Sequence, residues 1–106
     1  PLFYGLPWYN QPMKKKYLIK TKYGNFNALI WRDIPDKLYL VEVPSFAKTM
    51  TQGSTLADAK YMAKDLIELL SEVALDDGKV VIDDERRVFA RGKLAHIQGA
   101  VALVAV

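Results

Sequence analysis

The most regular pattern of hydrophobic and polar positions lies between Thr55 and Gly78. Apolar residues recur there at spacings of three and four, which places them along one face of an α-helix. They are Leu56, Ala59, Ala63, Leu66, Ile67, Leu70, Val73 and Ala74. Thr55 is suited to cap the first turn, with Asp58 at the capping-box position, and Gly78 suits the left-handed exit. The pattern predicts one long amphipathic helix.

Four segments rich in β-forming residues precede the helix. They are Tyr17–Tyr23, Phe26–Trp31, Leu38–Val43 and Lys48–Gln52. Gly24 and Asn25 are predicted to form a two-residue type II′ turn between the first two segments. Pro44 lacks an N–H group and ends the third strand, and Phe46 is expected to enter the core at this corner. The segments predict an antiparallel meander with one face available to the helix.

Three segments follow the predicted helix. Val80–Ile82 is an extended segment or a short strand, and the charged connection Asp83–Leu94 can contain a helical turn near Glu85–Ala90. Gly99–Val106 is an apolar run of strand length, which we expect to insert beside an earlier strand. The predicted fold is therefore α+β: an antiparallel sheet of three to five strands, in the order β-β-β-α-β, with one long helix packed on one face.

Length and composition fit a single domain. The chain has 106 residues, 51% of them hydrophobic, with no cysteine and one histidine. Residues 1–12 are rich in proline and aromatic residues, so we interpret them as an irregular arm or an extension, and residues 13–106 as the domain. No apolar run reaches the roughly 20 residues that a membrane span needs. These features predict a cytoplasmic protein without a metal site, a cofactor or a membrane partner.

Charge is distributed unevenly along the chain. Residues 1–25 contain five lysines and no acid, whereas residues 26–106 contain ten Lys or Arg and twelve Asp or Glu. Four of the lysines could contact a phosphate backbone, which gives one functional alternative, a stand-alone nucleic-acid-binding module. Lysines on a solvated edge strand, where they oppose aggregation, are the simpler explanation. The four residues are Lys14, Lys15, Lys16 and Lys20.

Three motifs resemble the HicB family of antitoxins. They are Val43-Pro44-x-Phe46, Gln52-Gly53-Ser54-Thr55-Leu56-x-Asp58-Ala59 and Leu75-Asp76-Asp77-Gly78-Lys79. The resemblance covers residues 26–106 and implies a partial RNase H-like fold that neutralises a HicA-like, RNA-cleaving toxin. It is also consistent with a homodimer or a higher oligomer. Toxin contacts are expected at Pro44, Phe46, Thr49 and Gln52.

The chain departs from the family in three places. The family often has Pro-Gly-Cys where this chain has Phe46-Ala47-Lys48. The lysine-rich strand before Gly24 is longer than the family needs. Family members often carry a DNA-binding module after the last strand, and no such module follows here before Val106. DNA is therefore expected as a partner only where such a module is present.

An RNase H-like fold directs attention to acids that could hold two metal ions. The candidates are Asp33, Asp36, Glu42, Asp76, Asp77, Asp83, Asp84 and Glu85. Only Glu42 lies in a predicted strand, so we interpret the acids as solvated side chains of turns and connections. His96 has no nucleophile or orienting acid in its sequence context. We expect no catalytic residue and no enzymatic activity.

Overall fold

Residues 13–91 form six strands and one long helix in a computed structural model, which describes this part of the chain. A single turn of 3₁₀ helix at Pro44–Phe46 separates two of the strands. Residues 1–12, His96 and the expected strand Gly99–Val106 lie outside the described residues. The strands are β1 (Lys15–Thr21), β2 (Gly24–Asp33), β3 (Leu38–Val43), β4 (Thr49–Gly53), β5 (Val81–Ile82) and β6 (Val88–Phe89), and the helix is α1 (Leu56–Asp76).

Strands β1 to β4 form one antiparallel sheet in chain order. Short turns connect these strands, so neighbours in sequence are also neighbours in space. The helix α1 packs on one face of this sheet, and β5 and β6 form a separate two-stranded ribbon. The predicted α+β class, with an antiparallel sheet and one long helix on one face, is confirmed. The predicted order β-β-β-α-β is wrong, because a fourth strand precedes the helix and two short strands follow it.

The hydrophobic core lies between α1 and one face of the sheet. Successive side chains of a strand point to opposite faces, and the buried positions of β1, β2 and β3 alternate accordingly. We call the side that faces α1 the helix face and the opposite side the open face. The core comprises Ile19, Phe26, Ala28, Ile30, Val41, Val43 and Phe46 from the sheet side, Ala59, Ala63, Ile67, Ala74 and Leu75 from α1, and Val81 from β5.

Strand β4 and the first turn of α1 approach each other closely at Gly53. A Cβ atom at this position would lie 2.4 Å from the backbone N of Ala59. The helix starts three residues later, at Leu56, and its N-cap Thr55 accepts a hydrogen bond through Oγ1 from the N–H of Asp58 at 3.0 Å. Asp58 Oδ2 in turn accepts one from the N–H of Ser54 at 2.9 Å. The predicted helix cap is confirmed, and the glycine before it allows the backbones to meet.

The predicted turn at Gly24 and Asn25 is wrong by two residues. The chain turns at Lys22 and Tyr23, and Gly24 is already paired with Thr21. Gly24 has a φ of 103°, so it supplies the left-handed residue that follows the turn. A glycine signals the hairpin correctly, but it does not fix which residues occupy the turn.

The helical turn expected near Glu85–Ala90 is also wrong. Val88 and Phe89 instead pair with β5, so that Val81 faces Phe89 and Ile82 faces Val88. The exit of α1 agrees with the prediction, because Gly78 has a φ of 80° and suits the left-handed backbone. The segment after the helix is therefore an extended ribbon.

Substituting Gly53 and Gly78 separately tests the close approach of β4 and α1. We expect Gly53→Ala to lower the free energy of unfolding by about 3 kcal/mol, because its Cβ would overlap the helix backbone. Gly78→Ala should cost only about 1 kcal/mol, because nothing lies within 4 Å of its Cβ and only the backbone is strained. Urea unfolding followed by circular dichroism measures both values. Equal losses would contradict the proposed role of Gly53.

Candidate protein-binding face

The open face of the sheet carries six large apolar side chains among polar ones. The register places Leu29 beside Glu42 and Met50, and Trp31 beside Leu40. Met50 is 51% exposed, and Leu18 at the β1 side is 47% exposed. Exposed apolar surface of this extent is a common feature of protein-binding sites. The group consists of Leu18, Leu29, Trp31, Leu38, Leu40 and Met50, and we call it the open-face cluster.

Lys14 crosses the open face beside Trp31. Its Nζ lies 4.4 Å from the centre of the Trp31 ring and 3.6 Å from Glu42 Oε1. The aromatic ring beneath the ammonium group and the carboxylate near it both stabilise its positive charge. The lysine therefore occupies one face of the Trp31 ring and neutralises the carboxylate of Glu42 within the apolar group.

Three of the four lysines predicted to contact nucleic acid share the open face. Lys16 and Lys20 lie on the open face, whereas Lys15 points to the side of the helix face. Lys14 is engaged with Trp31 and Glu42. Sheets that bind single-stranded RNA stack bases on two or three aromatic side chains. Among residues 13–91, the open face offers one aromatic side chain, and a lysine already covers it.

The four residues predicted to contact a toxin are dispersed. Phe46 is 4% exposed and its ring centre lies 5.1 Å from that of Phe26, so it is a core residue that a partner does not reach. Thr49 lies on the helix-face side of β4 and donates a hydrogen bond to the carbonyl of Phe46. Pro44 is half-buried at the start of the 3₁₀ turn. Only Gln52 is exposed on the open face, next to Leu40 in the register.

The open-face cluster was missed in the sequence, although a signal for it exists. The segment Leu38–Val43 has apolar residues at both alternating positions, as does Phe26–Trp31. Such strands are usual where both faces of a sheet are covered. The signal indicates a second contact layer, which α1 alone does not supply.

Two of the candidate metal-binding acids hold the backbone of β2 instead. Asp83 Oδ2 accepts a hydrogen bond from the N–H of Asn25 at 2.9 Å, and Asp84 Oδ2 accepts one from the N–H of Asn27 at 2.7 Å. Asp84 also accepts a hydrogen bond from the hydroxyl of Ser45. Asp83 is 4% exposed, so its interpretation as a solvated acid is wrong. These carboxylates replace the strand partner that β2 lacks beyond the end of β3.

Hydrogen bonds keep buried Asp83 ionised. Burial alone would raise the pKa of its carboxyl group, but the N–H groups of Asn25 and Arg87 and the guanidinium of Arg87 outweigh burial and hold the pKa below its usual value. Arg87 donates to Oδ1 from its backbone at 2.7 Å and to Oδ2 from Nε at 3.0 Å. The acid therefore acts as a fixed, charged acceptor.

The β1–β2 turn is tied to α1 by a second charged contact. Lys22 Nζ lies 3.0 Å from Glu72 Oε2, and the N–H of Lys22 donates to Glu68 Oε2 at 3.0 Å. The hydrogen bond with Glu72 and its negative charge raise the pKa of Lys22, and the same contact lowers the pKa of Glu72. Both side chains are exposed, so the pair orients the turn but adds little stability.

The described part of the chain offers no evident metal centre. Within residues 13–91, no group of three or more Asp, Glu or His side chains is arranged to hold a metal ion. The same residues include no helix that combines the length and the apolar character needed to cross a membrane. In comparisons with protein-family models, with curated proteins and with solved structures, the chain has no match.

Replacing Asp83 by Asn tests the carboxylate contacts and gives a defined pH dependence. We expect Asp83→Asn to lower the free energy of unfolding by about 3 kcal/mol at pH 7, because the N–H groups of Asn25 and Arg87 lose a charged acceptor. The folded-state pKa of Asp83 lies below its unfolded-state value of about 3.9. Its contribution is therefore complete above that value and is lost as the pH falls through the folded-state pKa.

The difference in stability between wild type and Asp83→Asn should thus be largest near neutral pH and shrink below about pH 4. Urea unfolding at pH 7 and pH 3 measures it. Asp36→Asn, in the exposed turn between β2 and β3, is the matched control and should change stability by less than about 0.5 kcal/mol. A difference for Asp83→Asn that stays constant with pH would contradict the role given to its charge.

Proposed function

We propose that this chain is a HicB-like antitoxin domain that binds and neutralises a HicA-like, RNA-cleaving toxin through its open face. The observation that carries the proposal is the open-face cluster, with Leu18 and Met50 each about half exposed. Aliphatic side chains on a sheet face gain free energy when another protein covers them. A homo-oligomer and a cytoplasmic location belong to the same proposal.

The shape of one corner supports the family resemblance. The family often has Pro-Gly-Cys at the corner after the 3₁₀ turn, where this chain has Phe46-Ala47-Lys48. Ala47 and Lys48 have φ values of 56° and 59°, in the left-handed region that glycine adopts most readily. A backbone of this shape gives a physical reason for the glycine that family members often have at this corner.

The use of the acids supports a binding role over an enzymatic one. Asp83 and Asp84 are directed at backbone N–H groups of β2, and the Oδ2 atom of each is occupied there. Glu42 faces Lys14. Residues 26–106 contain two more acids than basic residues, so the body of the domain as a whole, rather than the lysine-bearing open face, suits the encounter with a basic, RNA-binding partner.

Nucleic-acid binding is the alternative that exposed lysines favour. Lys16 and Lys20 flank Leu18 on the open face and are exposed. They would contact phosphates without reading bases. The aliphatic character of the remaining open face argues for a protein, since bases stack on aromatic rings.

The decisive experiment pairs the chain with the protein encoded by the neighbouring gene. We expect a small, basic protein that cleaves RNA in vitro, that co-purifies with this chain and whose cleavage is suppressed at a one-to-one ratio. A neighbour that neither binds nor is inhibited would contradict the proposal. RNA binding by the chain itself, sensitive to salt and lost in Lys16→Ala/Lys20→Ala, would then favour the alternative.

A matched pair of variants tests which face binds. Met50→Glu places a charge in the open-face cluster and should weaken the complex at least about tenfold, because the new carboxylate would be buried without a partner. Leu69→Glu is the control, since Leu69 is 57% exposed on α1, on the other side of the domain. Its affinity should match wild type by isothermal titration calorimetry. The reverse result would move the site to the helix.

A further inference from the structure

Within residues 13–91, no strand pairs with the outer edge of β1. β1 pairs with β2 on one side and is the first strand of the sheet. An edge strand directs the N–H and C=O groups of alternate residues outward, where another strand can bind them. With seven residues, Lys15–Thr21 is long enough to accept an extended segment.

Two of the side chains that β1 directs to the open face are lysines. Lys16 and Lys20 flank Leu18, and all three are exposed. Within residues 13–91, neither lysine forms an ion pair, whereas Lys14 contacts Glu42 and Lys22 contacts Glu72. Every second residue of β1 points to the open face, and these residues are, in order, a lysine, a leucine and a lysine.

The positions of the lysines disfavour pairing of β1 with a second copy. In a symmetric antiparallel pair centred on Leu18, Lys16 of each copy lies opposite Lys20 of the other. Like charges that face each other across two strands are destabilising. The registers centred on the neighbouring residues still place Lys14 opposite Lys20 and Lys16 opposite Lys22, although Glu42 and Glu72 partly offset the charges of Lys14 and Lys22.

We propose that the edge of β1 is a docking site for an acidic, extended segment of another protein, which adds to the sheet as a further strand. Acidic side chains of that segment lie opposite Lys16 and Lys20, and an apolar side chain lies opposite Leu18. This pattern reads the same in both directions, so it fits a parallel or an antiparallel segment. The charges that oppose a second copy are those that select this partner.

The proposed docking does not depend on the open-face partner or its identity. Strand addition uses the backbone at the edge of the sheet, whereas the proposed toxin covers the face. The two proposals meet at Leu18, which belongs to both surfaces. Each proposal can still fail while the other holds, because Met50 belongs to the face only and the two lysines belong to the edge. Variants of Met50 and of the lysines therefore distinguish the two proposals.

The first test uses a synthetic peptide and the full chain. The probe is a seven-residue peptide, acetylated and amidated, with glutamate, valine and glutamate at positions two, four and six and threonine elsewhere. Nuclear magnetic resonance titration should shift the amide signals of Lys15–Thr21. Lys16→Gln/Lys20→Gln should weaken binding about fivefold to tenfold, since two opposite-charge pairs are lost. Lys64→Gln/Lys79→Gln, which changes exposed lysines elsewhere, should leave the affinity unchanged.

Three results would overturn the proposal. They are the absence of peptide binding, equal binding of a peptide with lysine in place of glutamate, and equal loss in the control variant. A ten-nucleotide oligouridine is titrated in parallel. If it binds at Lys16 and Lys20 and the acidic peptide does not, the edge is a nucleic-acid contact instead.

A charge reversal supplies a second measurement that does not rely on a peptide. Lys16→Glu places a glutamate opposite Lys20 of the other copy, twice in each symmetric pair. The variant should self-associate at least about tenfold more tightly than wild type in sedimentation equilibrium, whereas Lys16→Gln should show a smaller change. Identical self-association of the three proteins would show that the lysines do not control pairing at this edge.

Discussion

A single helix covers only one face of a four-stranded sheet, and the functional features of this domain follow from that limit. Helix α1 occupies the helix face, where Gly53 lets its backbone come close to β4. The residues that alternate with the buried ones therefore remain outside the core. Four of them on β2, β3 and β4 are aliphatic, so within residues 13–91 the sheet keeps apolar side chains outside the core. In this part of the chain α1 covers one face, and the other face suits a partner.

Pro44 sets a second constraint, because it ends β3 before the full length of β2 is paired. The N–H groups of Asn25 and Asn27 then need acceptors, since an unpaired backbone donor is costly. Asp83 and Asp84 supply them and attach the β5–β6 ribbon to the sheet. A carboxylate can accept several hydrogen bonds at once, which a single carbonyl of a strand partner cannot do equally well. Acids that resemble catalytic candidates in the sequence are thus used to complete a sheet edge.

The sequence predicted those elements whose causes are local. The cap at Thr55, the apolar stripe of α1 and the break at Pro44 each depend on a few neighbouring residues, and the structure agrees with them. The role of Asp83 was not predictable in this way, because its partner Asn25 is 58 residues away. The hairpin turn was misplaced because a glycine serves equally within a turn and just after it. The open-face cluster was missed because alternation identifies two faces but not which of them is covered.

The chemistry of the sheet changes from one edge to the other, and this change links the two proposed surfaces. Lysines flank Leu18 on the open face of β1, whereas β2 to β4 place four aliphatic side chains there among polar ones. A strand added beside β1 would bury Leu18 from the side and extend the open face by one strand width. Its single apolar residue, opposite Leu18, would then lie beside the open-face cluster, and its acidic residues would offset the charges of Lys16 and Lys20. Because both partners would contact Leu18, occupation of the edge would change the affinity of the face, and the two events would be coupled through the shared side chain.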